Sequence, residues 1–194
     1  WYQEGGIMDT GGHIREKEKR TFSVVDRIVE EVKDRTQAAG KIILFGHSAG
    51  GQFVHRWALL GGKKNVDVIA VANSGWFTMP DRDIDYPYGI KNVGITDEEL
   101  GEAFAEPVIL FMGEKDVERK PPFRDTPEAD AQGMNRMERC MNYFRQCRAK
   151  AEELRVPFRW KLETVEGAAH QGVKMAEGAA AYIFGKSSED GNRR

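Results

Sequence analysis

Short apolar runs alternate with longer amphipathic segments along most of the chain. Three runs, 41–45, 66–72 and 107–112, are rich in β-branched residues and have few polar interruptions, which is typical of strands buried on both faces of a sheet. A fourth segment, 158–164, alternates apolar and polar positions and indicates an edge strand covered on one face.

Helical periodicity fills most of the chain between these strands and predicts helices over about 15–36, 49–60, 126–155 and 173–184. The expected core face of the first helix consists of Phe22, Val25, Ile28, Val29 and Val32. Ala38–Gly40 and Gly61–Gly62 would end the first two helices, and Thr126 with Pro127 would begin the third.

Other segments lack a clear period. Residues 73–106 are irregular apart from one short capped helix at "TDEEL", and a connection this long is typical of a functional loop or lid. The start of the chain is glycine-rich, and we expect 186–194 to be a disordered polar tail. Strands that alternate with helices predict an α/β fold, with a mainly parallel sheet flanked by helices, in one domain over residues 1–194.

Composition and charge exclude several classes of protein. A net charge of −2 gives no electrostatic case for binding nucleic acid or an anionic membrane, and no apolar run approaches the ~20 residues of a membrane span. Cys140 and Cys147 would lie about 10 Å apart on one helix, beyond disulfide reach. Free thiols favour a reducing compartment such as the cytoplasm, although a signal peptide stays possible if the chain does not begin at its natural N-terminus. The oligomeric state is open.

One serine stands out at the end of the first strand, in "KIILFGHSAGG". Gly46 and Gly50 flank Ser48 in a Gly-x-Ser-x-Gly pattern between a strand and a helix. Two residues without a Cβ allow strand and helix to approach, and the serine oxygen is then exposed beside a helix N-terminus. The alternative is a turn that only connects the two elements.

A serine nucleophile needs a base. Three of the four histidines are poor candidates. His55 lies two helical turns from Ser48, which is too far for a hydrogen bond. His47 occupies the variable position of the motif and is expected to point elsewhere, and His13 lies in the irregular start of the chain. His170, in "GAAHQG" after the last strand, is the candidate, and the alternative for it is a surface-loop histidine.

The imidazole in turn needs an acid, and Asp116 ends the third strand at the same sheet edge. The order Ser48, Asp116, His170 is the order that an elbow-type fold uses. Three other carboxylates stay open as rivals: Asp83, Asp85 and Glu114.

The chain at this point resembles a known family. The stretches "GHSAGGQFVHRW", "ANSGWFTMPD", "YPYGI", "RDTPEADAQG" and "LETVEGAAH" together resemble α/β-hydrolases related to the poly(3-hydroxybutyrate) depolymerases and their esterase relatives, over roughly residues 15–184. The resemblance implies cleavage of small or polymeric carboxylic esters through an acyl-enzyme on Ser48, with His170 as base and Asp116 as its orienting acid. It implies no cofactor and no metal.

The resemblance also assigns the surroundings of the site. The backbone N–H of Ala49 would be one oxyanion donor, and Asn73, Trp76, Tyr86 and Tyr88 would line the substrate side, although core packing is an open alternative for the two tyrosines. The full fold has about eight strands and a second oxyanion donor from an earlier loop. Only four strands are predicted here, so we expect the N-terminal strands to be missing and this C-terminal portion to be inactive or poorly folded when it is alone.

Two other functions stay open at this stage. A peptidase or lactone hydrolase would use the same three side chains, because these do not distinguish leaving groups. A non-catalytic binding protein could also keep the fold.

Overall fold

The computed structural model describes residues 2–36, 40–61 and 65–185. Its four strands are β1 (Ile43–His47), β2 (Val68–Ala72), β3 (Val108–Gly113) and β4 (Lys161–Val165). Its α-helices are α1 (Phe22–Thr36), α2 (Ala49–Leu60), α3 (Asp97–Ala105), α4 (Pro127–Asp130), α5 (Arg136–Leu154) and α6 (Gly172–Gly185), preceded by two short 3-10 helices at Tyr2–Glu4 and Lys17–Lys19.

The strands form one parallel sheet in the order β1-β2-β3-β4. Side chains alternate between its faces, so that Ile69 and Val71 join a large core with α2, α3 and α5, whereas Ala70 and Ala72 join a smaller core with α6. The predicted fold class is confirmed: helices cover both faces of a mainly parallel sheet. Because every strand runs the same way, all carboxyl ends meet at one edge.

Strand β1 departs from the prediction of burial on both faces. It is an edge strand among the described residues, and Ile43, Leu44 and Phe45 are only partly buried. A strand needs a neighbour or a covering layer on each side to be buried throughout, and β1 has a paired strand on one side alone within the described residues.

Two predicted helices have different bounds. The first begins at Phe22 rather than near residue 15, and it buries Phe22 and Val29 but leaves Ile28 and Val32 56% and 43% exposed. The predicted helix over 126–155 is two helices, because Gly133 adopts φ +147° and the Asn135 side chain caps α5 by accepting from Glu138 N.

The segments without periodicity are well packed. Residues 74–80 are buried, and a capping box formed by Thr96 and Glu99 begins α3. The start of the chain also joins the core, with Ile7 fully buried. Ala38, Ala39, Gly62 and the predicted tail at 186–194 lie outside the described residues.

Cys140 and Cys147 are free and buried, as predicted. No helix within the described ranges combines the length and apolar character needed to cross a membrane.

Candidate active site

Ser48 occupies the turn between β1 and α2 in a strained backbone conformation. Its φ is 55° and its ψ is −116°, a region that non-glycine residues rarely adopt. The turn is held because Ser48 N–H donates to Ala72 O of the neighbouring strand at 2.9 Å. The strain places the hydroxyl at the carboxyl edge of the sheet, where it is partly exposed.

The glycines around Ser48 have unequal roles. A Cβ at Gly46 would lie 2.4 Å from the carbonyl oxygen of Gly50, so the close approach of β1 and α2 requires glycine there. A Cβ at Gly50 would meet open space, so the expectation that Gly50 makes room for the strand is wrong. The residue after it, Gly51, is the crowded one, since a Cβ there would lie 2.7 Å from Ser74 Oγ and 2.8 Å from Ala72 O.

His170 lies in the turn after β4, and two neighbouring strand ends hold that turn. Lys115 N–H donates to Ala168 O at 2.8 Å, and the Asn73 side-chain amide donates to Ala169 O at 3.0 Å. The imidazole is thereby placed over the first strand, with Nε2 at 2.9 Å from Ser48 Oγ.

Asp116 follows β3 and completes a chain of hydrogen bonds. Its Oδ2 lies 2.7 Å from His170 Nδ1, and its side chain is 3% exposed. A carboxylate accepts, so Nδ1–H donates to Asp116 and Nε2 is left to accept the Ser48 hydroxyl proton. The structure therefore brings Ser48, His170 and Asp116 together.

The rival carboxylates lie elsewhere. Glu114 is exposed and accepts a hydrogen bond from Gly167 N–H at 2.7 Å, on the loop that carries His170. Asp83 and Asp85 are exposed in the long connection after β2, and Asp85 pairs with Lys91.

Two of the remaining histidines are remote from Ser48. His13 is exposed and contacts Asp9. His55 is fully buried, with Nδ1 3.1 Å from Gly51 O and Nε2 3.1 Å from Thr78 N–H, and burial holds the pKa of its ring well below the usual range.

His47 does not point away from the site, contrary to the expectation. Its ring centroid lies 4.8 Å from that of His170. Burial, and then the adjacent His170, lower the pKa of His47. The variable position of the motif therefore places a ring that favours the neutral form beside the candidate base.

Arg136 is a site residue that the sequence pattern missed. Its Nη1 lies 3.2 Å from Asp116 Oδ1, and the two side chains are 5% and 3% exposed. The same guanidinium donates to Pro122 O at 3.0 Å. Asp116 thus has a partner on each oxygen, Arg136 on one and His170 on the other. A charged residue in the first turn of a helix carries no signal of this role in a single sequence.

Ala49 is the first residue of α2, and its N–H is among those that have no partner within a helix. A cavity of about 180 Å³ is lined by His170 together with Asp116, Pro122 and Arg136. The site therefore has a helix N-terminus on one side of Ser48 and a small cavity beside its base.

The four predicted substrate-side residues differ in their placement. Asn73 is buried and used structurally, since its amide bridges Ala169 O and Gly113 N–H. Tyr86 is 6% exposed in the core and its hydroxyl donates to Glu4 O, so it is not a substrate wall. Trp76 is also buried, at 2% exposed, beneath Arg124 and Tyr88. Only Tyr88 stays partly exposed.

Comparison with solved structures gives two strong matches. Poly(aspartic acid) hydrolase-1 from Sphingomonas sp. KT-1 superposes with a TM-score of 0.87 at 32% identity, over 94% of this chain and 70% of that one. The poly(3-hydroxybutyrate) depolymerase LpqC from Bordetella parapertussis superposes with a TM-score of 0.86 at 30% identity, over 95% of this chain and 63% of that one. No protein-family model and no curated protein sequence matches the chain.

A parallel sheet flanked by helices, with Ser48 in a tight strand–helix turn, defines the class as an α/β-hydrolase fold. The chain belongs to the α/β-hydrolase superfamily and resembles its poly(3-hydroxybutyrate) depolymerase-like members. It spans less than two thirds of the length of LpqC.

Proposed function

We propose that this chain is, or is part of, a serine hydrolase that cleaves carboxylic esters through an acyl-enzyme on Ser48. The observation that carries the proposal is the hydrogen-bonded chain from Ser48 Oγ through His170 to Asp116, with distances of 2.9 and 2.7 Å. This is the spacing that a nucleophile, its base and the orienting acid require.

The reaction follows from that geometry. Ser48 Oγ attacks the ester carbonyl carbon while its proton passes to His170 Nε2, and the N–H of Ala49 donates to the oxyanion that forms. The C–O bond then breaks, and the leaving alkoxide takes the proton from His170. Water next gives a proton to His170 Nε2 and attacks the acyl carbon. The bond from that carbon to Ser48 Oγ then breaks, Oγ takes the proton back from His170, and the acid is released.

The surroundings of the base support this assignment. Asp116 orients His170 through one carboxylate oxygen, and Arg136 keeps Asp116 in place through the other. The lowered pKa of His47 keeps a second positive charge away from His170 near neutral pH. Ser48, Asp116 and His170 follow the carboxyl ends of β1, β3 and β4. The proposed nucleophile, acid and base thus come from three different strands of one sheet.

The two strong structural neighbours are named for polymers, a polyester and poly(aspartic acid). By analogy with these hydrolases, we propose that this chain hydrolyses a small or polymeric ester. Poly(aspartic acid) is linked by amides, so a peptidase-like activity is the second candidate, and a substrate panel separates the two.

The test compares hydrolysis of 4-nitrophenyl butyrate with that of the matched 4-nitroanilide. We expect the ester to be cleaved faster, and Ser48→Ala to lower kcat by about a thousandfold or more. Ser23→Ala, which removes a serine hydroxyl on α1, is the matched control and should leave the rate unchanged. An unchanged rate in Ser48→Ala would overturn the assignment, and faster cleavage of the anilide would favour the second candidate.

A further inference from the structure

The guanidinium of Arg124, on the segment that follows β3, is held in place without a carboxylate partner among the described residues. Arg124 Nε–H donates to Tyr88 OH at 2.6 Å, and the guanidinium carbon lies 4.5 Å from the ring centroid of Trp76. Tyr88 OH is itself hydrogen-bonded to Thr126 Oγ1 at 2.7 Å, which fixes the position of the tyrosine ring. Arg124 is thus oriented by two neighbours, Tyr88 at Nε and Trp76 at its planar face.

Its two terminal amino groups are left for another molecule. No hydrogen bond or ion pair within the described part of the chain uses them, and Arg124 is only partly buried. A planar guanidinium that is fixed through Nε presents a fork that matches the two oxygens of a carboxylate.

The local charge also favours an anion. Arg56 lies over the same indole, 4.1 Å from its centroid, and it is fully buried with Nη2 unpartnered among the described residues. The pKa of Arg56 is lowered to about 10, mainly by burial and to a smaller extent by the charge of Arg124, whereas Tyr86 and Glu4 act to raise it. Two like charges around Trp76 thus repel each other, and an anion that binds at Arg124 would offset that repulsion.

Arg124 is connected to the site through loops at the carboxyl edge of the sheet, because Trp76, which it covers, lies on the segment that follows β2. Arg124 itself lies on the segment that follows Asp116, and Pro122 of that segment lines the cavity beside His170. Arg136 ties the segment down by donating to Pro122 O while it pairs with Asp116. This segment therefore joins Asp116, at its start, to Arg124.

We propose that Arg124 is a carboxylate-binding subsite and that the substrate of this site carries a free carboxylate close to the bond that is cleaved. The proposal rests on the proposed function for the position of the cleaved bond, but not for the binding of the carboxylate. A polymer or oligomer with acidic side groups fits this class, and so does a monoester of a dicarboxylic acid.

The test measures binding without turnover. Ser48→Ala protein is titrated with monomethyl glutarate and with its neutral carboxamide analogue, with saturation-transfer NMR as the readout. We expect the carboxylate to bind about tenfold more tightly or better, as for a hydrogen bond to a charged group. Adding Arg124→Gln should abolish the preference, whereas Arg145→Gln, which removes an exposed charge from α5, should leave it intact.

Arg124→Lys is a second variant that keeps the positive charge but lacks the two parallel N–H donors of arginine. If it folds normally, we expect its preference for the carboxylate over the carboxamide to lie between those of the protein with Arg124 in place and of Arg124→Gln. Equal binding of the two ligands in the Arg124-containing protein would overturn the proposal, as would a preference that survives Arg124→Gln in folded protein. Absence of ester hydrolysis by the chain with Ser48 in place, together with an intact binding preference in Ser48→Ala, would overturn the proposed function instead and leave the subsite standing.

Discussion

At the scale of residues, His55 and Asp116 show how buried polar groups are accommodated. His55 accepts from Thr78 N–H and donates to Gly51 O, which uses both ring nitrogens of the neutral form. Asp116 has an arginine on one oxygen and a histidine on the other. Each group is buried only because its partners satisfy it.

His55 makes stability depend on pH. In the unfolded chain a histidine takes up a proton near pH 6.5, whereas burial keeps folded His55 neutral to a much lower pH. The unfolded state therefore binds more protons below about pH 6.5, and the free energy of unfolding falls as the pH falls.

We expect a loss of about 1 kcal/mol from His55 between pH 7.5 and 5.5, measured by urea unfolding. The lowered pKa of His47 adds a loss of the same sign. His55→Gln should reduce the difference between the two pH values, and His13→Gln, at an exposed position, should not. Equal stability of the original chain at both pH values would contradict this account.

At the scale of elements, the strand–turn–helix unit around Ser48 could be predicted closely from the sequence. An apolar run, a Gly-x-Ser-x-Gly pattern and a periodic helix each indicate the same turn, and these local signals agree. The break between α4 and α5 could not be predicted, because the apolar stripe continues through Met134 and Met137 while Gly133 and Asn135 interrupt the backbone.

The unequal crowding at the glycines gives a matched pair of variants. Gly46→Ala would place a methyl group against the Gly50 backbone, and we expect the free energy of unfolding to fall by about 1–3 kcal/mol or more. Gly50→Ala points into open space in the first turn of α2 and should leave stability unchanged or slightly raised.

Thermal and urea unfolding of the two variants measure this difference. Equal losses of stability in Gly46→Ala and Gly50→Ala would show that the approach of β1 to α2 is looser than the structure indicates.

At the scale of the whole molecule, the layer order and the meeting of three strand ends follow from the alternation of strands and helices. Ser48, Asp116 and His170 could be nominated from the sequence because a parallel sheet gathers its carboxyl ends at one edge. The roles of Arg136 and Arg124 could not, since they depend on side-chain contacts that Arg136 makes with Asp116, 20 residues earlier, and Arg124 with Tyr88, 36 residues earlier. The burial of Tyr86 likewise depends on the packed N-terminal segment.

The central claim is that Ser48 is a nucleophile activated by His170. It is tested most directly by reaction with a fluorophosphonate probe, followed by peptide mass mapping, on this chain and on His170→Ala and His13→Ala variants. We expect the label on Ser48 in the original chain and in His13→Ala, and its loss in His170→Ala. No label, a label on another residue, or equal labelling in His170→Ala would contradict the claim.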